Sequence, residues 1–289
     1  MHFVKAKGIL SGQNGMNIYR GCQHGCIYCD ARSLCYQMNH VFEDIEVKEN
    51  ALELLEASLK SKRKPCMIAT GVMSDPYMPL EKKLGMTRQA LELIEKYGFG
   101  ATVLTKSDLV LRDLDLFQKI NGKAKAVLQM SLTMTDPEMS RILEPNVCPT
   151  GRRIEVLREF QQAGVPRVVW MSPIVPFLTD TRENIQGLVE ACAETGVTGI
   201  IWFGAGLTLR EGDREYFYKK LDAHFPGLKE QYIRTYGLSY EVPSPRHREL
   251  NALFHSLCEQ YGILHDNDAI FRYLAEFPQP ETANQLSFF

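Results

Sequence analysis

The sequence predicts an α/β fold in which helices cover a parallel sheet. Two observations carry that reading. Short apolar runs alternate with amphipathic stretches from Gly15 to Gly206, giving six strand–helix units at a spacing of roughly 25 to 50 residues. Three of the helical stretches stop on Gly98, Gly164 and Gly196, just before the next apolar run, where a left-handed cap is wanted. Six units suit either a doubly wound sheet or an incomplete barrel, and in both folds chemistry collects at the carboxyl ends of the strands.

Taken in order, "GMNIYR" (Gly15 to Arg20) reads as a first strand that feeds a cysteine-rich loop. "KENALELLEASLK" (Lys48 to Lys60) sets Leu52, Leu55 and Leu59 at helical spacing. "CMIATG" (Cys66 to Gly71) is the second apolar run, and "TRQALELIEKYG" (Thr87 to Gly98) the helix after it, starting on a Thr cap. "ATVLT" (Ala101 to Thr105) leads to a helix over Leu109 to Ile120, and "AVLQMSLTM" (Ala126 to Met134) to one over Arg152 to Gly164. "RVVWMSPIV" (Arg167 to Val175) precedes the helix Thr181 to Gly196, and "GIIWFGAG" (Gly199 to Gly206) closes the series. From about Glu211 the pattern turns to helices without strands. We therefore expect three parts: a body over 1–206, a helical extension over 207–276 packed on it, and a tail over 277–289.

Composition narrows the function classes. The 289 residues are 45% hydrophobic and 24% charged, ordinary for a globular chain with a large core. No apolar run has a bilayer's length, and Met1 to Leu10 lacks a signal peptide's apolar core, so a cytoplasmic protein without membrane contact is expected. A net charge of -2 gives no global drive toward nucleic acid; Lys60 to Lys64 and Arg246 to Arg248 are the dense basic stretches, read as solvated surface. Cys66, Cys148, Cys192 and Cys258 stand apart from any ligand pattern and read as buried small hydrophobes.

The chemistry is concentrated in "YRGCQHGCIYCDARSLC" (Tyr19 to Cys35). Cys22, Cys26 and Cys29 are spaced C-x3-C-x2-C, with Cys35 nearby. A structural zinc would need His24 or Cys35 as a fourth ligand. A fully ligated ferredoxin-type cluster would need Cys35. The third reading is a [4Fe-4S] cluster on three thiolates, which leaves one iron open to a substrate or cofactor. Gly21 and Gly25 suit a tight loop whose amides approach cluster sulfurs.

At these residues the sequence resembles the radical S-adenosylmethionine (SAM) superfamily, whose signature is C-x3-C-x2-C with an aromatic residue before the last cysteine, here Tyr28. The resemblance covers roughly Tyr19 to Gly206. It implies a partial (β/α)6 TIM-type barrel with the cluster loop after the first strand. It also implies a [4Fe-4S] cluster on Cys22, Cys26 and Cys29, SAM chelated by the open iron, cleavage of SAM to a 5'-deoxyadenosyl radical, and an electron donor of flavodoxin or ferredoxin type. "YRGCQHGCIYCDAR", "SDPYMPLE" (Ser74 to Glu81), "LTKSDLVLRDLDLF", "RILEP" (Arg141 to Pro145) and "PIVP" (Pro173 to Pro176) are similar, in order, to segments of the spore photoproduct lyase-like branch. By that resemblance Lys106 and Ser131 hold the SAM carboxylate and ribose, Tyr28 belongs to the cofactor site, and Ser74 and Asp75 lie near the reacting centre, Ser74 also beside the cofactor. Arg141 and Glu144 read as a polar pair, either substrate ligands or a salt bridge fixing the loop.

Two departures bear on the substrate. The photoproduct lyases carry a hydrogen-donating Cys before Thr-Ser-Asp, where this chain has Val72-Met73-Ser74-Asp75, and Asp30 stands where the branch often has an aromatic residue. "QLSFF" (Gln285, Leu286, Ser287, Phe288, Phe289) is similar to the pentapeptide that docks bacterial proteins on the replication sliding clamp. The expectation is a radical enzyme for DNA repair or base modification; one acting on RNA, protein or a small molecule, and a non-catalytic Fe-S or zinc module, are the alternatives.

Overall fold

The computed structural model describes residues 1–278. Strands β1 (His2–Val4), β2 (Gly15–Met16) and β3 (Tyr19–Arg20) precede the cysteine loop, and β4 (Glu46–Lys48) with α1 (Ala51–Ser61) follows it. The alternation continues through β5 (Met67–Thr70), α2 (Glu81–Leu84), α3 (Met86–Lys96), β6 (Gly100–Thr105), α4 (Leu114–Lys123) and β7 (Ala126–Ser131). Then come α5 (Pro137–Leu143), α6 (Thr150–Gln162), β8 (Arg167–Trp170), α7 (Arg182–Glu194) and β9 (Gly199–Ile201). These are followed by β10 (Gly206–Thr208), α8 (Asp213–His224), α9 (Leu228–Tyr236), β11 (Glu241–Pro243), α10 (His247–Tyr261) and α11 (Asn267–Ala275).

Six strands form one all-parallel sheet in the order β2-β5-β6-β7-β8-β9. The order never reverses, as it must in a doubly wound sheet. Crossovers of one hand then put their helices on one face, and because β2 and β9 do not pair, the sheet is an open partial barrel. Side chains alternate across each strand. Ala126, Leu128 and Met130 of β7 join the helix-side core with Phe117, Val156 and Leu188, whereas Val127 faces inward with Val168 and Ile201 against Ile270 and Leu274 of α11. Helix α11 fills the inner face near the strand amino ends, where Lys125 donates to the Tyr273 carbonyl. The carboxyl ends are left open for a site.

Several elements differ from expectation, each for a local reason. The first strand breaks after Met16: Gly15 and Met16 pair with β5, but Tyr19 and Arg20 turn away to pair antiparallel with β4. Lys48 belongs to that β4, so α1 starts only at Ala51. Thr87 is not a cap; its hydroxyl donates to the Pro76 carbonyl at 2.7 Å, inside a helix that starts at Met86. The stretch from Asp108 to Asp113 is a 3-10 turn before α4. The C-terminal part is not strand-free, since β11 pairs antiparallel with β10; three-residue strands are too short to show an alternation. Leu250, Phe254 and Cys258 of α10 enter the main core, with Trp202 stacked on Phe254 at 4.6 Å. Cys192 and Cys258 are buried as expected, but Cys66 and Cys148 are only half-buried, and the Cys148 thiol donates to the Lys106 carbonyl at 3.2 Å.

Asp213, in the first turn of α8, accepts the Arg210 N–H at 2.6 Å, while its second oxygen is buried without a partner. Burial pushes its carboxyl up to about 7. The folded value lies above the unfolded one of 3.8, so this group's stabilising contribution is complete below the unfolded value and is lost as pH rises through about 7. Asp213→Asn is expected to gain melting temperature on the parent steadily as pH is raised from about 4 to about 8. Parallel profiles for the two proteins would refute the assignment.

Candidate active site

A cavity of about 700 Å³ opens at the carboxyl ends of the strands. Cys22, Cys26 and Cys29 line it together with Ser74, Asp75, Lys106 and Ser131. The loop bearing the cysteines is clamped from both sides. Gly21 has φ +88°, and a Cβ there would stand 2.3 Å from the Phe42 carbonyl oxygen. The Cys22 N–H donates to that same carbonyl at 3.3 Å, the Ser74 hydroxyl to the Gly21 carbonyl at 2.6 Å, and the Ile27 N–H to the Leu143 carbonyl at 3.0 Å.

The donor set suits a cluster better than an ion. Burial, then Asp75 and Cys29, push the Cys22 thiol up to about 12, and burial raises Cys26 and Cys29 as well. Three buried thiolates with Lys106 as the nearby cation are unfavourable, and bound iron would reverse that. Tetrahedral zinc needs sulfurs about 3.8 Å apart at bond lengths of about 2.3 Å. The cysteine sulfurs do not meet that spacing: among the described residues, the one set of three ligand atoms within 4.8 Å of one another is His2, His40 and Asp44. His24 is committed elsewhere, its Nδ1 3.1 Å from the Asn146 carbonyl and its Nε2 2.9 Å from Asp75, there without hydrogen-bond alignment. Cys35 is exposed, takes an N–H from Arg210 at 3.2 Å and does not line the cavity.

Two buried carboxylates organise the walls. Asp75 accepts from the Tyr77 N–H at 2.8 Å, the Thr105 hydroxyl at 2.7 Å and the Lys106 N–H at 2.8 Å, fixing the ends of β5 and β6 to each other and to His24. Burial would raise its carboxyl, but His24 and these donors outweigh it and hold it below the ordinary value. Glu144 accepts from the Tyr28 hydroxyl, from Thr133 at 3.2 Å and from the buried guanidinium of Arg153. Its carboxyl too is held low against burial, by Arg153 and then Lys106. The expected Arg141–Glu144 pair does not exist. Arg141 is exposed and pairs with Glu138 one turn away at 2.7 Å, because α5 carries it outward while Glu144 turns into the interior. Arg141 does not line the cavity.

Sequence reading passed over Arg153, although it lies on the buried stripe of α6 with Val156, Leu157 and Phe160 at helical spacing. It donates to the Ser131 carbonyl at 2.9 Å and the Cys148 carbonyl at 3.1 Å. Lys106 extends over the Tyr28 ring, its Nζ 6.0 Å from the centroid. That ammonium has no hydrogen-bond or ion-pair partner among the described residues. Burial would lower it, but Cys26 and Glu144 reverse the shift and keep it charged. Trp170, Phe203, Tyr240 and His247 also line the cavity. The basic stretch Arg246 to Arg248 is not all solvated surface: the His247 ring turns in to the Ala205 carbonyl at 3.1 Å, while Arg246 pairs with Glu249 outside. Among the described residues lining the cavity, Lys106 is the one lysine or arginine, against Asp30, Asp75 and Glu241. No described helix is long and apolar enough to cross a membrane.

Comparison with known proteins agrees with this geometry. The profile of the Radical SAM superfamily matches residues 16–192. An uncharacterized protein of Mycobacterium tuberculosis is 30% identical over 242 residues, 81% of this chain and 70% of its own. One from Methanocaldococcus jannaschii is 36% identical over 171 residues, 58% of this chain and 62% of its own. A variant of spore photoproduct lyase with bound AdoMet and dinucleoside spore photoproduct shares the fold, with a TM-score of 0.63 over 87% of this chain and 75% of that one at 16% identity. The partial barrel, the cysteine loop after its first strand and the family match together make this chain an enzyme of the radical SAM superfamily, which works with a [4Fe-4S] cluster, SAM and an electron donor.

Proposed function

We propose that Cys22, Cys26 and Cys29 hold the cluster, that Lys106 and Ser131 bind SAM beside it, and that the substrate is a base in DNA. When bound, the cluster and SAM supply a 5'-deoxyadenosyl radical that takes a hydrogen atom from the substrate. The observation that carries the reading is Lys106, an ammonium beside Cys26 that has no partner among the described residues, in a cavity whose acidic side chains are Asp30, Asp75 and Glu241, with the Ser131 hydroxyl on the next strand likewise without a partner among them. An anionic partner is what the Lys106 ammonium lacks, and a ligand carboxylate supplies one. Tyr28 serves the cofactor site through its ring, held by Glu144. Ser74 and Asp75, with their polar atoms committed to Gly21, Thr105 and backbone amides, position the loop rather than react. Lys106→Met is expected to weaken SAM binding about tenfold or more, with iron content unchanged; equal affinity in the two proteins would remove this role.

For the substrate, support comes from the aromatic lining of Trp170, Phe203 and Tyr240, which offers stacking faces to a flat ring, and from the likeness to spore photoproduct lyase. Val72-Met73 in place of the donor cysteine argues for a reaction other than thiol-quenched dimer reversal. The clamp-like Gln285, Leu286, Ser287, Phe288 and Phe289 lie outside the described residues; tethering through them would raise local concentration where the lining adds few cations. The electron donor is of flavodoxin or ferredoxin type and the location cytoplasmic. The shortage of cations in the lining favours a second reading, an uncharged small molecule or a segment of protein; RNA, as anionic as DNA, gains nothing from it. The test is anaerobic reconstitution, dithionite-driven formation of 5'-deoxyadenosine with and without damaged DNA duplexes, and capture on the sliding clamp with and without the last five residues. Turnover indifferent to DNA, together with capture indifferent to the tail, would sink the DNA reading.

A further inference from the structure

Away from the cavity, His2, His40 and Asp44 bring one ligand atom each within 4.8 Å of one another, and the geometry points to a site for one zinc-class divalent cation there. The residues come from two segments. His2 opens β1, while His40 and Asp44 lie between the cysteine loop and β4. Backbone pairing sets their meeting: β1 runs parallel to β4 with His2 opposite Glu46, and the His2 N–H donates to the Ile45 carbonyl at 3.0 Å.

The side chains are arranged as ligands. The His2 and His40 rings meet edge-on with centroids 4.8 Å apart. His40 Nδ1 stands 3.0 Å from the Val41 carbonyl, which fixes the proton on that nitrogen and leaves the lone pair on Nε2. Nε2 is buried and has no hydrogen-bond partner. A backbone carbonyl on the far ring nitrogen is the usual support of a metal-bound histidine. His2 Nδ1 lies 3.0 Å from one Asp44 oxygen, a contact whose proton a cation replaces, and the Met1 amino group lies 2.7 Å from the other. Glu46, with Oε2 3.8 Å from His40 Nε2, is placed to become a fourth ligand. Two imidazoles and a carboxylate select zinc or a similar borderline metal over calcium or magnesium.

The cation would act on the cysteine loop from behind. Its segment carries Phe42, whose carbonyl receives the Cys22 N–H and leaves no room for a Cβ at Gly21, and none of the three ligands lines the cavity. A bound metal therefore clips β1 to the segment that braces the cluster loop, a structural role independent of the substrate.

The test uses the full chain, tagged at its C-terminus and reconstituted with its cluster, then dialysed against micromolar zinc chloride, with zinc and iron measured separately. One zinc per chain is expected in addition to the iron. His40→Ala and Asp44→Asn should each weaken zinc at least about tenfold while iron is retained. Asp44→Asn preserves shape and guards against a folding defect in the alanine variant, both being checked by circular dichroism. Because thiols also bind zinc, the Cys22, Cys26, Cys29 triple alanine variant must keep the single zinc and lose it on adding His40→Ala. No zinc in the parent, unchanged affinity in both ligand variants, or loss of zinc with the cysteines overturns the site.

Discussion

Alanine at Cys22, Cys26 or Cys29 is expected to reduce reconstituted iron from about four atoms per chain to well under one, and to bring 5'-deoxyadenosine formation down to background. All three thiols line the same cavity and are pushed up by burial, so the neutral thiol is favoured until iron binds, and no other cysteine lines that cavity among the described residues. Cys35 is the internal control. It is exposed, bonded by Arg210 and absent from the cavity wall, so Cys35→Ala should retain full iron and full SAM cleavage. Loss of iron in Cys35→Ala, or its retention in any of the three others, would require a different ligand set. An iron assay reads this before any substrate is known.

Arg153→Met is expected to destabilise the cluster-free protein by about 3–5 kcal/mol at neutral pH. The mechanism is an orphaned carboxylate. Glu144 is fully buried, and its charge is balanced chiefly by the guanidinium that the substitution removes. The sign of the pH dependence distinguishes this from simple loss of packing. In the parent, the depressed Glu144 value contributes stability above its unfolded value of 4.5 that is lost as pH falls through the folded one. In the variant, burial raises the Glu144 value above the unfolded one, so stability is recovered by protonation on acidification. The difference between the two proteins should therefore shrink from about pH 7 to about pH 5. Denaturation midpoints at both values measure it, and a constant difference would point to packing alone. Because Glu144 also holds the Tyr28 hydroxyl, next to Cys29, the variant should reconstitute its cluster more slowly.

The cofactor site was more legible than the walls around it. The cysteine spacing is local: three thiols within eight residues need only a tight loop, and the loop's glycines and its place after a strand are written in the same stretch. Arg141 and Glu144 show where local reading fails. Three positions apart, they read as a pair, but α5 ends between them, and the partner of Glu144 comes from α6 nine residues on. Arg152 and Arg153 are adjacent and chemically alike, yet a helix turns about 100° per residue. One faces solvent beside Glu155 and the other is fully buried. Hydropathy assigns both to the surface, because only a specific buried carboxylate makes an interior arginine tolerable.

The sequence by itself determined the six-unit alternation, the cysteine triplet, and the glycines that end the helices, since each depends on residues close in the chain. The tertiary structure decided the rest. It chose an open, singly wound barrel through the strand order, and filled the inner face with α11 from the far end of the chain. It turned Cys35 and Arg141 outward, brought His247 and the Trp170–Phe203 pair to the cavity, and left Lys106 as its lone Lys or Arg among the described lining. These outcomes depend on contacts between residues far apart in sequence, whose partners no local pattern names: a buried charge is stable only where the fold delivers its counter-charge.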